Sequence, residues 1–113
     1  MEAPLARRHC VACEKGTPPL PDAESRALLA ELSGWAIDES DGRAGLVKTL
    51  RFKGFMPGVE LVNRIAELAE AEGHHPDLTL TYGSLTVRLT THAAGGLTEN
   101  DFILAAKIDE LAP

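Results

Sequence analysis

The chain lacks the features by which several large classes of protein are recognised. Its 11 Lys and Arg residues are outnumbered by 17 Asp and Glu residues, and no segment concentrates basic side chains. The formal net charge of -6 therefore argues against a nucleic-acid partner. No run of residues approaches the roughly 20 apolar positions of a membrane-spanning helix, so we expect no membrane association and a cytoplasmic protein.

Cysteine is also scarce, since the 113 residues include only Cys10 and Cys13. Such a pair does not make the disulfide framework of a secreted protein. Segment 1–21 holds both cysteines and many turn-forming residues, which predicts a flexible N-terminal tail before one domain, 22–113. A zinc knuckle at His9, Cys10 and Cys13 is an alternative, but no second ligand pair follows to complete it, and a tail with free thiols is preferred.

Hydrophobic periodicity and turn residues predict seven elements. They are a helix from Asp22 to Gly34, strands Trp35–Glu39 and Leu46–Phe52 joined around Asp41-Gly42, a helix from Pro57 to Gly73, strands Leu78–Tyr82 and Leu85–His92, and a helix from about Glu99. The order αββαββα predicts a single α+β domain, with a four-stranded antiparallel sheet carrying helices on one face. Because an open sheet leaves edges to be covered, we expect a homodimer or homotetramer.

The second hairpin decides which distant residues meet. Gly83-Ser84 suits a two-residue loop, and pairing outward from it places His75 opposite His92, with Cβ atoms ~5 Å apart. Period-two alternation puts Tyr82 on the apolar face, where a core role is favoured over a catalytic one. It puts Arg88 on the polar face, where keeping the sheet soluble is favoured over contact with an anionic group.

Three of the four histidines would thus share one site: His74, His75 and His92. Histidine exchanges protons near neutral pH, so the cluster indicates acid/base chemistry. Pro76 favours an extended His75, and the two adjacent histidines should therefore point in different directions. Glu70 lies four residues before His74, within reach on a helix, although a solvated helix position would also explain it.

Two alternatives to catalysis stay open from the residues alone. The three histidines could bind zinc, but they lack the i, i+4 helical pair or the several cysteines of specific zinc motifs, and we predict no metal. Taken singly, each histidine could be structural. Asp101 has capping-box spacing to Thr98, which explains it without any catalysis.

These residues resemble the signature of the pterin-4a-carbinolamine dehydratases. The signature consists of Glu70, His74-His75-Pro76, Tyr82, His92 and Asp101, and the resemblance extends from about Asp22 to Ala112. Trp35, Phe52-Lys-Gly-Phe55 and Thr91-His-Ala-Ala-Gly-Gly-Leu97 are also similar to that family. The chain departs from many members at Leu78, where they carry an aromatic residue.

The resemblance implies dehydration of 4a-hydroxytetrahydropterin to quinonoid dihydropterin, which recycles the pterin cofactor of aromatic amino-acid hydroxylation without a metal or bound cofactor. It implies that His74, His75 and His92 surround the pterin substrate. His74 and His92 would transfer protons at the hydroxyl group, and His75 would position the ring or act as a base. Glu70 would tune His74, and Asp101 would hold the site or His92. The alternative is a non-catalytic protein-binding or dimerisation-cofactor module of the same fold, against which the retained histidines argue.

Overall fold

A computed structural model describes residues 4–12, 15–40 and 42–112. Its elements are α1 (Asp22–Leu29), β1 (Ala36–Asp38), β2 (Gly45–Arg51), α2 (Met56–Glu72), β3 (Asp77–Thr81), β4 (Ser84–Leu89) and α3 (Glu99–Leu111), with 3-10 turns at Leu5–Arg7 and His92–Ala94. The strands form one antiparallel sheet in the order β1-β2-β4-β3. The predicted αββαββα order and α+β class are confirmed.

The core lies between the sheet and the helices. Along β4, alternate side chains are buried, as expected for a strand with one covered face. The other face is polar, and Thr49 of β2 and Thr86 of β4 share a hydrogen bond across it. The buried apolar side chains include Leu46, Leu85, Val87 and Leu89 from the sheet, Leu61 and Ile65 from α2, and Phe102, Leu104 and Ile108 from α3.

Helix α2 ends where the sequence predicts. Gly73 has a left-handed φ of 67°, a conformation that costs a side chain with a Cβ more than it costs glycine. The N–H groups of Gly73 and His74 both donate to the carbonyl of Ala69. This turn delivers His74 to the end of the helix in a defined position.

Helix α3 also begins as predicted. Its first residue is Glu99, and the backbone N–H of Thr98 donates to Asp101 Oδ2 at 3.0 Å. This is the reciprocal bond of the capping box, made here by Asp in the position usually held by Glu.

Helix α1 is shorter than predicted. It begins at Asp22, with Pro21 in the N-cap position, and it ends at Leu29. The N–H groups of Glu31 and Leu32 bond to carbonyls three residues back, so the last turn tightens to 3-10 geometry before Gly34 is reached.

The second hairpin has a different register from the predicted one. Its loop is Tyr82–Gly83 rather than Gly83–Ser84, with the glycine at a positive φ of 83°. Leu78 therefore lies opposite Val87, where the predicted loop required Leu89. Because the shift is two residues, the apolar side chains keep their predicted face. Tyr82 does not, since it belongs to the loop and is 80% exposed; its predicted core position is wrong.

The predicted strand pairing of His75 with His92 is also wrong. Strand β4 stops short of His92, which begins a 3-10 turn that ends at Ala94. Thr91 and Gly96 exchange backbone hydrogen bonds of 3.0 and 3.3 Å around this turn. The segment between Thr91 and Gly96 is therefore closed at its base.

The described part of segment 1–21 packs against the helices. Leu5 is buried in the core, and Lys107 of α3 donates to the carbonyl of Ala6 at 3.0 Å. The division into a tail and a domain stays a prediction. In the described part of the chain, no helix has both the length and the apolar character required to span a membrane.

Candidate active site

The three predicted histidines line one open cavity of about 270 Å³. It lies where the end of α2, the 3-10 turn after β4 and the start of α3 meet. Its lining residues are Val11, Gly73, His74, His75, Thr90, Thr91, His92, Ala93 and Asn100. The three histidines therefore do lie close together, although the predicted strand pairing is not what joins them.

His74 is bonded to a buried carboxylate. Its Nε2 lies 2.6 Å from Asp101 Oδ1, and the Asp101 side chain is fully buried while that of His74 is 12% exposed. The other carboxylate oxygen accepts the Thr91 hydroxyl at 2.8 Å and the Thr98 N–H at 3.0 Å. Because a carboxylate only accepts, His74 donates through Nε2–H, and its Nδ1 is the nitrogen left for a ligand.

His75 is held differently. Its Nε2 lies 2.5 Å from Glu70 Oε2, and the His75 and Glu70 side chains are 59% and 77% exposed. The two adjacent histidines thus have separate partners on separate helices, as predicted from Pro76. One dyad is buried and one is open to solvent.

His92 is bonded to a cation. The Arg43 Nη1–H group donates to His92 Nδ1. A guanidinium has no acceptor, so Nδ1 presents its lone pair and the ring hydrogen of neutral His92 lies on Nε2. Arg43 is a residue that sequence reasoning missed, because it follows a turn 49 positions away and belongs to no motif.

The loop that carries Arg43 is held from β4. Arg88 donates to Asp38 Oδ2 at 2.7 Å and to the carbonyl of Arg43 at 3.0 Å, and Thr90 Oγ1 donates to the carbonyl of Ala44 at 2.8 Å. Of the two roles considered for Arg88, contact with an anionic group is therefore the one observed. Asp41, in the predicted turn, lies outside the described residues.

Neither carboxylate contacts the histidine expected for it from the sequence. Glu70 was expected at His74 and contacts His75, whereas Asp101 was expected at the site or at His92 and contacts His74. The reason is the turn at Gly73, which moves His74 off the helical spacing from Glu70 and toward the first turn of α3.

Within residues 4–12, 15–40 and 42–112, no three His, Cys, Asp or Glu side chains are grouped as ligands for a metal ion. The alternative knuckle includes Cys13, which lies outside the described residues. A second cavity of about 290 Å³ is lined by α1, Arg43 and the loop through Gly96, and contains none of the three histidines.

This arrangement supplies what a proton-transfer site needs. Two carboxylate-bonded imidazoles and one imidazole with a defined ring hydrogen face a cavity large enough for a small bicyclic molecule. General acid and general base groups in one cleft can remove a hydroxyl and a proton from the same substrate.

Comparison with known proteins identifies the family of this chain. A family model described as pterin 4 alpha carbinolamine dehydratase matches residues 18–111. A Rickettsia bellii protein named as a pterin-4-alpha-carbinolamine dehydratase, a hydro-lyase, is 49% identical over 108 residues, covering 95% of this chain and 93% of the relative. A Marinobacter nauticus protein of the same name is 43% identical over 107 residues, covering 95% and 96%.

A solved structure is also similar. The crystal structure of a transcriptional coactivator/pterin dehydratase from Brucella melitensis matches with a TM-score of 0.78 and 32% sequence identity, covering 84% of this chain and 99% of that one. The match of a family model to most of the chain, together with relatives of this similarity and this fold, establishes that the chain belongs to the pterin-4-alpha-carbinolamine dehydratase family.

Proposed function

We propose that this protein is a hydro-lyase that converts 4a-hydroxytetrahydropterin to quinonoid dihydropterin and water, in the recycling of the pterin used by aromatic amino-acid hydroxylases. The observation that carries the proposal is the meeting of His74, His75 and His92 at one cavity, each ring held by a different partner. Membership of the family supports the substrate class.

The reaction sets the chemical requirement. The C4a–O bond breaks, and the hydroxyl leaves with one added proton as water. The N5–H proton is lost, and its electron pair forms the C4a=N5 double bond. One proton enters at oxygen and one departs from nitrogen, so an acid and a base acting together return the enzyme to its starting state after proton exchange with solvent.

His74 is proposed as the acid at the hydroxyl. Its Nε2–H group is bonded to the buried Asp101, which fixes the ring orientation and balances the positive charge of an imidazolium. The proton for the leaving group would then come from Nδ1. This is the role that a buried carboxylate performs for the histidine of a catalytic triad.

His92 is proposed to act at the same hydroxyl from a second direction. With Arg43 donating to Nδ1, the ring presents Nε2–H as a hydrogen-bond donor. A donor aimed at the departing oxygen stabilises the charge that develops on it.

His75 is proposed as the base at N5, or as the residue that positions the ring. Glu70 accepts its Nε2–H, leaving the Nδ1 lone pair for a proton. The exposure of this dyad would allow the proton to pass on to solvent.

The test is an absorbance assay of carbinolamine decay with the wild type, His74→Ala, His75→Ala and His92→Ala. We expect decay far above the uncatalysed rate in the wild type and a large loss in each variant. Tyr82→Ala is the control, because Tyr82 belongs to the sequence signature but lies exposed in a loop outside the cavity. Decay at the uncatalysed rate in all five proteins would refute the proposed dehydratase activity.

One observation favours a second function, a protein-binding module: the solved structure from Brucella melitensis is named a coactivator as well as a dehydratase. A wild type without dehydratase activity would favour this second function. The predicted homodimer or homotetramer and the predicted cytoplasmic location stay predictions; light scattering measures the former.

A further inference from the structure

Residues 8–11 lie across the ends of α2 and α3, next to the cavity. The N–H of Val11 donates to Asn100 Oδ1 at 3.0 Å, and Asn100 Nδ2 donates back to the Val11 carbonyl at 2.6 Å. One side chain thus satisfies both backbone groups of Val11, as a neighbouring strand would.

A second attachment comes from α2. Glu72 Oε1 accepts the N–H of Cys10 at 2.8 Å, and Glu72 Oε2 lies 3.1 Å from His9 Nδ1. The Glu72 side chain is only 8% exposed and Asn100 is buried, so neither bond has to compete fully with water. Arg8 adds an ion pair of 2.9 Å with Glu99.

These attachments place the apolar side chain of Val11 at the cavity, where the proposed reaction steps give it no role. Val11 lines the same cavity as the three histidines, yet it is 72% exposed. A flat heteroaromatic ring such as a pterin has polar edges and apolar faces. The histidines suit the edges, and an exposed aliphatic side chain fixed beside them suits a face.

We propose that residues 8–11 form a fixed wall of the pterin site, in which Val11 contacts one face of the substrate ring while Asn100 and Glu72 are positioning residues that hold it there. The inference rests on the proposed function. The segment that contains Cys10 then serves substrate binding and not the chemical step.

The helices that hold the segment also position His74 and Asp101. His74 follows the end of α2, and Asp101 directly follows Asn100 on α3. Val11 is therefore held relative to the reacting groups by the same elements that orient them. Loss of an attachment should weaken substrate binding while the dyad stays intact.

The test separates KM from kcat in the full-length chain. Val11→Ala removes two methyl groups from the proposed contact, and we expect KM to rise roughly fivefold with kcat changed less than about twofold. Val11→Asp should raise KM further. Glu72→Ala should raise KM by freeing the Cys10 N–H, whereas Glu72→Gln keeps an acceptor and should restore most of the affinity.

Matched controls are Val59→Ala and Glu60→Gln on α2, which lie outside the cavity lining and should leave both constants unchanged. Circular dichroism and the urea midpoint check folding, which an exposed Val11 should not affect. Kd for an oxidised pterin, measured by fluorescence, gives a second readout without turnover.

The outcomes distinguish the two proposals. If the wild type is active and both Val11 variants have its KM and Kd, the proposed wall is refuted and the proposed dehydratase activity is not. A kcat that falls while KM is constant also refutes the proposed wall. A wild type that neither turns over nor binds pterin refutes the proposed function, and this inference with it.

Discussion

Replacing Asp101 by asparagine would separate two roles that one carboxylate performs. Asp101 caps α3 through the Thr98 N–H and also bonds His74. Asparagine has nearly the same shape, and its single oxygen can still accept the Thr98 N–H and the Thr91 hydroxyl, which share one oxygen now. Its NH₂ group would then face His74 Nε2, where only an acceptor is compatible with the present tautomer.

The expected magnitudes follow from these bonds. One charge-assisted hydrogen bond is lost, so the free energy of unfolding should fall by about 1.5–3 kcal/mol. Asp101→Ala would in addition leave the buried Thr98 N–H without its acceptor, and should cost about 3–5 kcal/mol in all. For activity, Asp101→Asn should lower kcat by about 10²–10⁴-fold, as expected when the carboxylate partner of a catalytic histidine becomes an amide.

The assay is carbinolamine decay at saturating substrate, with urea unfolding of the same preparations. Asp109→Asn is the matched control, because this carboxylate on the same helix accepts Trp35 Nε1 at 3.0 Å and Lys48 Nζ at 2.8 Å away from the cavity. It should lose comparable stability and keep its kcat. A kcat within about threefold of wild type in Asp101→Asn would show that Asp101 serves the fold alone.

Three further predictions concern the surroundings of the site. Arg43→Met removes the donor to His92 and should lower kcat/KM by about tenfold, because the ring can then place its hydrogen on either nitrogen; an unchanged kcat/KM would contradict the assigned tautomer. Burial by itself raises the pKa of Glu72, but the Cys10 N–H and nearby cations hold that pKa below its ordinary value of 4.5. The ionised Glu72 side chain therefore stabilises the fold fully above pH 4.5, and this stabilisation is lost as the pH falls through the lowered pKa. The Cys10 amide shift in NMR should follow this loss in the wild type and not in Glu72→Gln. Burial, followed by neighbouring carboxylates, raises the pKa of the Cys10 thiol to about 12, so iodoacetamide at pH 8 should modify it far more slowly in the folded Cys13→Ser protein than in urea; equal rates would place the thiol in solvent.

Features set by neighbouring residues were predictable. Gly73 ends α2 because its left-handed φ disfavours other residues. Helix α3 begins with a hydrogen bond between Thr98 and Asp101, which are three residues apart. Period-two alternation identified the buried face of the second hairpin. These predictions needed no knowledge of what packs against each segment.

The hairpin register was not predictable to the residue. Two loops, one starting and one ending with Gly83, satisfy the same alternation, and they differ by two residues without moving any apolar strand residue to the wrong face. Only contacts outside the hairpin choose between them. The Gly83 N–H donates to Gly54 and its carbonyl accepts from Phe52, which attaches the loop to the segment before α2.

The sequence by itself singled out the three histidines that line the cavity, because their number and spacing match one family signature. Pro76 also indicated that His74 and His75 point in different directions. The tertiary structure alone decided the partner of each ring, and it placed Arg43 and Val11 beside them. Apart from His75 and Glu70, which are five positions apart, those contacts join residues from 27 to 89 positions apart. They depend on how α2, α3 and the N-terminal segment pack, and no local pattern in the chain encodes that packing.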